Sequence, residues 1–248
     1  MEKKFNYYAL LLFFVCISFM SCKKDYYVDT GINNPKYEGS IMEYLESDPF
    51  YFDTLVRVIN YAGLASTLNT EAVTFFAPPD PCFDKIIKYV NEVQLENGKD
   101  SVTKIEQIKP TVWKKYLSMY IFSGNKGLKD YNQIDTLALD TYSGNLFETI
   151  DAQVMNIGVI YNNAVNDNGT PNDLTDDIIL KYKGYRQLML SYLYDFGGTF
   201  GVKWYNAPVA TSDIAPNNGR LHILRYKTHI FSFFPFRFVQ SAQEEGID

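Results

Sequence analysis

The sequence predicts an α+β fold, helices early and strands late, on three observations. Apolar residues recur at helical spacing behind capping residues between positions 40 and 68. Short apolar or alternating runs divided by turn residues dominate from position 136 onward. Between them the strand formers Thr74-Phe75-Phe76 break at Ala77-Pro78-Pro79 and lead into another helix. The length suits one large domain more readily than two small ones.

The first residues read as an address rather than as structure. Lys3 and Lys4 precede an apolar run from Ala9 to Met20 that ends in Ser21-Cys22. A membrane-spanning helix takes about 20 apolar residues, so the run is too short and suits a secretory signal instead. A small residue directly before a cysteine at the end of such a run resembles the bacterial lipoprotein cleavage box. That resemblance implies removal of residues 1–21, lipid on Cys22 and a membrane contact through that anchor. A plain secretory signal with an accidental cysteine is the alternative. Lys23 stands where an Asp would favour the inner membrane, which points to the outer membrane, on the cell surface or the periplasmic face. Lys23-Lys24-Asp25 resembles the surface-export segment of Bacteroidetes-type lipoproteins.

With that leader removed, Glu2, Lys3 and Lys4 are lost, and 21 basic and 28 acidic residues remain of 23 and 29, a net charge of −7. No basic block occurs, which argues against a nucleic-acid partner. Of three cysteines, Cys16 lies in the leader, Cys22 would carry lipid, and Cys82 is left alone. One thiol makes no internal disulfide, so stability rests on a core. Cys82 is expected to pack as a small apolar residue, since nothing beside it supplies a base.

The elements follow in order. Residues 22–39 are polar, carry Gly31, Asn33, Asn34 and Pro35, and read as a tether. Ser40 and Glu43 form a capping box for a short helix faced by Ile41, Met42 and Leu45. Asp48-Pro49 repeats the cap, and Phe52, Leu55, Val56 and Ile59 follow at helical spacing. Gly63 closes that helix as a left-handed cap with Leu64 folding back. After the strand at Thr74, Asp80 is read as an N-cap and Pro81 as the first helical residue. The helix runs amphipathic to Val93 and is followed by an Asn97-Gly98 turn. Thr111 is read as the cap of a helix faced by Val112, Tyr116, Leu117, Tyr120 and Ile121, closed by Gly124. Strands are expected at 137–139, 146–150, 154–165 and 178–180. Residues 185–194 fit a helical stripe and a strand alternation alike. Phe231 to Phe238 read as a last buried strand, or near Phe236 and Phe238 as a surface aromatic stripe.

Two strings carry a family resemblance. Thr74, Phe76, Ala77, Pro78, Asp80 and Phe83 match the first signature of the fasciclin adhesion domain: Thr, apolar, Phe, Ala, Pro, Thr or Ser, Asn or Asp, any, Ala, Phe. Pro79 replaces the hydroxyl residue and Cys82 the Ala. Asn218, Gly219 and His222, with Leu221 and Leu224 in kind, resemble the second signature, Asn-Gly-x-Ile-His-x-Ile. The segment 41–68 is similar to the paired opening helices of that family. The resemblance implies a fasciclin-like twisted β-sandwich or wedge flanked by several α-helices, in a single domain over 40–236. An insertion falls around 166–210 and a C-terminal tail at 237–248. Met119-Tyr120 stands where the family has Tyr-His, so the integrin contact linked to that region in animal members is not carried over.

Chemistry-bearing residues are few. Residues 166–177 make an oxygen-rich loop, and Asp167, Asp173, Asp176 and Asp177 are its candidate calcium ligands. With Gly169 in the glycine place of an EF-type loop, Ala164 falls on the first ligand position. A polar hairpin turn is therefore preferred, with no cofactor. The two histidines, His222 and His229, are read as lying on opposite faces of strand, with no serine elbow and no metal spacing, which argues against a hydrolase. The resemblance implies a lipid-anchored, non-enzymatic adhesion module with a protein or glycan ligand. The alternative is an accessory glycan-binding lipoprotein of an outer-membrane uptake complex, marked by Tyr residues and Trp204 on one concave face.

Overall fold

The computed structural model describes residues 35–139, 141–166, 177–195 and 202–247, and the elements below are those of the described residues. Helix α1 (Ile41–Glu46) starts in a complete capping box: Glu43 N donates to Ser40 Oγ at 3.1 Å and Ser40 N to Glu43 Oε2 at 2.7 Å. Helix α2 (Pro49–Tyr61) buries Phe52, Leu55, Val58 and Ile59. It ends as expected, with Gly63 at φ 71°, Gly63 N donating to Asn60 O and Leu64 N to Ile59 O at 3.0 Å. A short α3 (Ala65–Thr70) delivers the chain to β1 (Val73–Ala77), whose five residues are all buried. Then come α4 (Asp80–Glu96), α5 (Pro110–Leu117) and β2 (Ile121–Ser123).

The second half is mostly strand: β3 (Asn145–Glu148), β4 (Val154–Tyr161), β5 (Ala164–Asn166), β6 (Ile178–Leu180), β7 (Arg186–Asp195), β8 (Val202–Ile214) and β9 (Gly219–Leu224). Helix α6 (Pro235–Glu245) closes the described chain. Seven strands form one sheet in the order β2-β1-β9-β8-β7-β4-β3, and β5 and β6 pair as a separate ribbon. The long β8 serves two partners in turn. Its residues 202–208 pair with β7, and its end pairs with β9 across two register shifts, with Asp213 at φ 66° inside the second. Bulges bend a strand and sharpen its twist, so the sheet has two leaves that meet along β8. The α+β wedge expected from the sequence is the fold observed.

Parallel pairing occurs at one place in that sheet, between β1 and β9, with Phe76 opposite His222 and Ala77 opposite Ile223. Aromatic rings fill the core below it. Phe83 stacks on Phe231 at 4.6 Å, Tyr120 on Phe233 at 5.1 Å, and Trp113 meets Phe238 at 5.1 Å. Each such ring, fully buried, is worth about 1.5–3 kcal/mol over its exposed state.

Several expectations are corrected. Residues 137–139 are turn, not strand: Leu137 N donates to Asp135 Oδ1 at 2.9 Å and Tyr142 N to Ala138 O at 2.9 Å. The aspartate side chain supplies a local alternative to the ladder, and Leu137 is left 96% exposed. Residues 186–195 are strand because β4 and β8 pair with both edges, which settles an alternation that periodicity left open. Helix α5 starts at Pro110 behind Lys109, so Thr111 is no cap; its hydroxyl donates to Glu245 of α6. No closing strand forms after Ile230, since Ser232 and Phe233 take φ of 75° and 62°, outside the extended region a ladder needs.

The end-segment expectations change as well. Residues 237–248 are no tail: α6 buries Phe238, Val239 and Ala242, and Tyr116 Oη lies 3.1 Å from Ser241 Oγ. The tether expected to end at 39 already joins the body at Lys36, which bridges Ala215, and Tyr37 N donates to Ala215 O at 3.0 Å.

Gly219 opens β9 where β1 runs closest. A Cβ there would stand 2.0 Å from Val73 O, a backbone atom that cannot swing away. Gly219→Ala is expected to cost about 3 kcal/mol or more by forced separation of β1 and β9. Urea unfolding measures it, and a variant as stable as the parent would show that the two strands have slack.

Candidate functional site

The two signature strings meet in space, and most of their side chains act as ties. Asn218 accepts the Ile41 N–H at 2.8 Å and donates to Leu68 O at 2.9 Å and Glu71 O at 3.1 Å. One carboxamide thus joins α1, the end of α3 and the start of β9. Thr74 Oγ1 donates to Gly124 O and accepts from Lys126 N at 2.9 Å. Asp80 is not the expected N-cap. Pro79 holds that place, and the Asp80 carboxylate accepts from Thr54 N at 3.0 Å and Leu55 N at 3.1 Å, which fastens α4 to α2. Burial raises its pKa and the two amide donors pull against that rise. Phe76, Ala77 and Phe83 are core, and Pro78 follows the strand end and is buried.

His222 is sealed. Asp213 N donates to its Nδ1 at 3.1 Å, so the other nitrogen, 3.1 Å from Lys126 O, carries the proton. Its ring lies 4.9 Å from that of Phe76. Burial pushes its pKa from 6.5 down to about 4, opposed by the Lys126 carbonyl and Asp213. His229 stands in a loop rather than on a strand, which removes the opposite-face argument. Tyr120 Oη accepts from Ser232 N at 2.9 Å and shares a hydrogen bond with His229 Nε2, 2.9 Å away. Burial pushes this ring down to about 3, helped by the Lys85 ammonium. That ammonium donates to the carbonyls of Tyr226, Lys227 and His229 and pins the same loop. Both imidazoles are buried, so no substrate reaches them in this conformation.

Cys82 is buried as expected, and burial pushes its thiol up to about 12, which leaves no thiolate at neutral pH. Cys22 and residues 1–21 lie outside the described residues, as do Asp167, Asp173 and Asp176; Asp177 is described. Among the described residues no group of three or more His, Cys, Asp or Glu is placed to hold a metal ion. No described helix is long and apolar enough to cross a membrane. Among the described residues no concave tyrosine cluster forms around Trp204, because Trp204 and Tyr205 alternate across β8. Tyr205 joins Tyr192 at 6.3 Å and Phe234 at 5.2 Å, while Trp204 pairs with Leu193 in the next register position.

One feature was invisible in the sequence. Residues 134–138, the end of β4 with Asn162 and Asn163, and Lys181-Tyr182 line an open cleft of about 430 Å³. Its members come from three distant segments, and no spacing rule joins them. A larger groove of about 600 Å³ runs between α2, α4 and the 101–105 loop, with Arg57, Lys88 and Lys104 among its lining. Arg57 there is paired with Glu106 at 3.1 Å.

Fold and ties together define an α+β domain whose signature residues hold its two leaves and its helices in register. Residues 50–171 match the Fasciclin domain family. The match contains the first signature; the second lies beyond it and reaches the first through the β1–β9 pairing. Among solved structures the chain is similar to a FAS1 domain pair from the insect cell adhesion molecule fasciclin I. That likeness has 12% identity and a TM-score of 0.30, and covers 78% of this chain and 46% of that one, so this chain spans about half its length. No curated protein matches the sequence.

The sealed histidines carry a pH consequence. Each ring stays neutral when folded and takes up a proton in the unfolded chain below pH 6.5. Their stability is therefore complete above that pH and lost as pH falls toward 4 and then 3, by up to about 1.4 kcal/mol per pH unit for each ring. Urea unfolding at pH 7 and pH 5 is expected to differ by about 2 kcal/mol or more, and His229→Gln to flatten the slope. Equal stability at both pH values would mean that both rings open to water.

Proposed function

We propose that the chain is a lipid-anchored, non-enzymatic binding module that mediates adhesion at the outer membrane. The observation that carries this reading is the fasciclin domain at residues 50–171, a domain known in cell adhesion proteins. The engagement of the signature residues in internal ties supports it, since they hold a scaffold and leave ligand contact to the surface. A second support is the β5–β6 ribbon, where Val165, Ile178, Ile179 and Leu180 are all exposed. Apolar side chains on both faces of a ribbon suit contact with a protein. The Lys3-Lys4, apolar, Ser21-Cys22 string supports the anchor.

An accessory glycan-binding role is the second reading, and the cleft beside Tyr182 is what favours it. No cofactor is part of either reading. Calorimetry with millimolar calcium chloride is expected to give no saturable heat, and a heat abolished by Asp173→Asn would assign the loop to calcium instead.

Expression of the full chain in a bacterial host tests the anchor and the adhesion together. The wild type is expected in the outer-membrane fraction, with N-terminal mass spectrometry finding lipid on Cys22, and its cells are expected to aggregate. Cys22→Ala is expected to leave the membrane fraction and lose aggregation. Wild-type cells that stay dispersed would defeat the adhesion reading, and an unmodified Cys22 would defeat the anchor.

A further inference from the structure

The open cleft is built around a tyrosine held in an uncommon backbone state. Tyr182 has φ 60°, in the left-handed region that bulky residues avoid. Such conformations persist where surrounding contacts fix them, and they gather at ligand sites. Here the fixing contacts are explicit. Tyr182 N donates to Asn163 Oδ1 at 3.0 Å, its hydroxyl donates to Asp135 Oδ2 at 2.8 Å, and its carbonyl accepts from Arg186 at 3.1 Å. Its ring meets Tyr142 edge-on at 5.6 Å. Arg186 in turn sits 3.6 Å over the ring of Tyr161, a second wall of the cleft. Two aromatic side chains are thus locked before any ligand arrives, which lowers the ordering cost of binding.

The polar groups around these rings narrow the ligand. Asp135 Oδ1 already accepts the Leu137 N–H and its other oxygen the Tyr182 hydroxyl, yet each carboxylate oxygen keeps a spare lone pair. Asn162 Nδ2 donates to Tyr185 O, which leaves the side-chain Oδ1 open, and Asn163 has its side-chain Nδ2 open. Lys181 is exposed at the rim. Donors and acceptors therefore alternate around an aromatic wall; Arg186 is spent on the Tyr182 and Gly184 carbonyls and the Tyr161 ring, and in the lining itself one carboxylate faces one ammonium. A phosphate or polyanion would find no surplus of positive charge here. A purely apolar ligand would leave the open polar groups stranded. The volume, about 430 Å³, falls in the usual range of small-molecule sites.

We propose that this cleft binds a neutral oligosaccharide, with the C–H face of one pyranose ring on Tyr182 and its hydroxyls on Asp135, Asn162, Asn163 and Lys181. The site rests on the reading of the chain as a surface binding module and names a ligand for it. An open cleft with one or two stacking rings binds weakly, with a Kd on the order of 0.1–1 mM.

The test uses the full chain in detergent, titrated by calorimetry and saturation-transfer NMR with maltohexaose, cellohexaose, laminarihexaose and mannohexaose. At least one is expected to bind saturably. Tyr182→Ala is expected to weaken that binding about tenfold, and Tyr182→Phe, which keeps the ring, by no more than about threefold. Lys181→Ala, an exposed change that spares the fold, is expected to weaken it about threefold and decides the matter if Tyr182→Ala fails to fold. Silence with all four sugars at 10 mM, about ten times the weakest expected Kd, overturns the proposal. So does binding that Lys181→Ala and the folded Tyr182 variants leave unchanged, since the sugar then sits elsewhere. Aggregation of displaying cells, measured alongside, separates the two readings: cells that aggregate without any sugar binding sink only the cleft, and sugar binding without aggregation sinks only adhesion.

Discussion

Everything in this fold is organised by the side-by-side run of β1 and β9, two segments brought together from opposite ends of the chain. Their pairing is parallel, so no hairpin can form it, and a long crossover through the rest of the domain must join the two strands. Two devices hold it. Gly219 lets the backbones approach at a point where any side chain would strike Val73 O. Asn218 then ties the entry to β9 to α1 and to the end of α3 through three hydrogen bonds.

A consequence is that the polar signature residues are spent on architecture. Thr74, Asp80 and Asn218 each satisfy backbone groups of another element, and His222 satisfies two at once. Buried polar groups that are fully bonded fix one arrangement strongly, because any slip strands them away from water. The two neutral imidazoles extend the same logic to pH, since acid favours the unfolded chain, where each ring can charge. Recognition is then left to the periphery, where the β5–β6 ribbon and the cleft at Tyr182 lie away from the clasp.

The aromatic surplus of the sequence divides along the same line. Phe75, Phe76, Phe83, Trp113, Tyr120, Phe231 and Phe238 fill the interior, where ring stacking gives a dense core without disulfides. Tyr161 and Tyr182 stand at the cleft, where the Arg186 guanidinium, the Asp135 carboxylate and the edge of Tyr142 fix their rings. Composition counts both groups alike, and burial alone tells them apart.

Local chemistry was legible from the residues. The Ser40–Glu43 box, the Gly63 cap and the proline stop after β1 depend on neighbours within a few positions, and each formed as read. The α+β class followed from the change of periodicity along the chain. What needed tertiary structure was every feature whose partner is remote. Residues 186–195 became strand because two strands flank them, Asp80 turned from cap to tie because α2 lies beside it, and 235–245 became a helix because α5 offers a floor for Phe238. The cleft is the extreme case: Asp135, Asn163 and Tyr182 share no period or motif. Propensity and capping act over one or two turns of chain, whereas a site is a meeting of segments that only the packed core brings within reach.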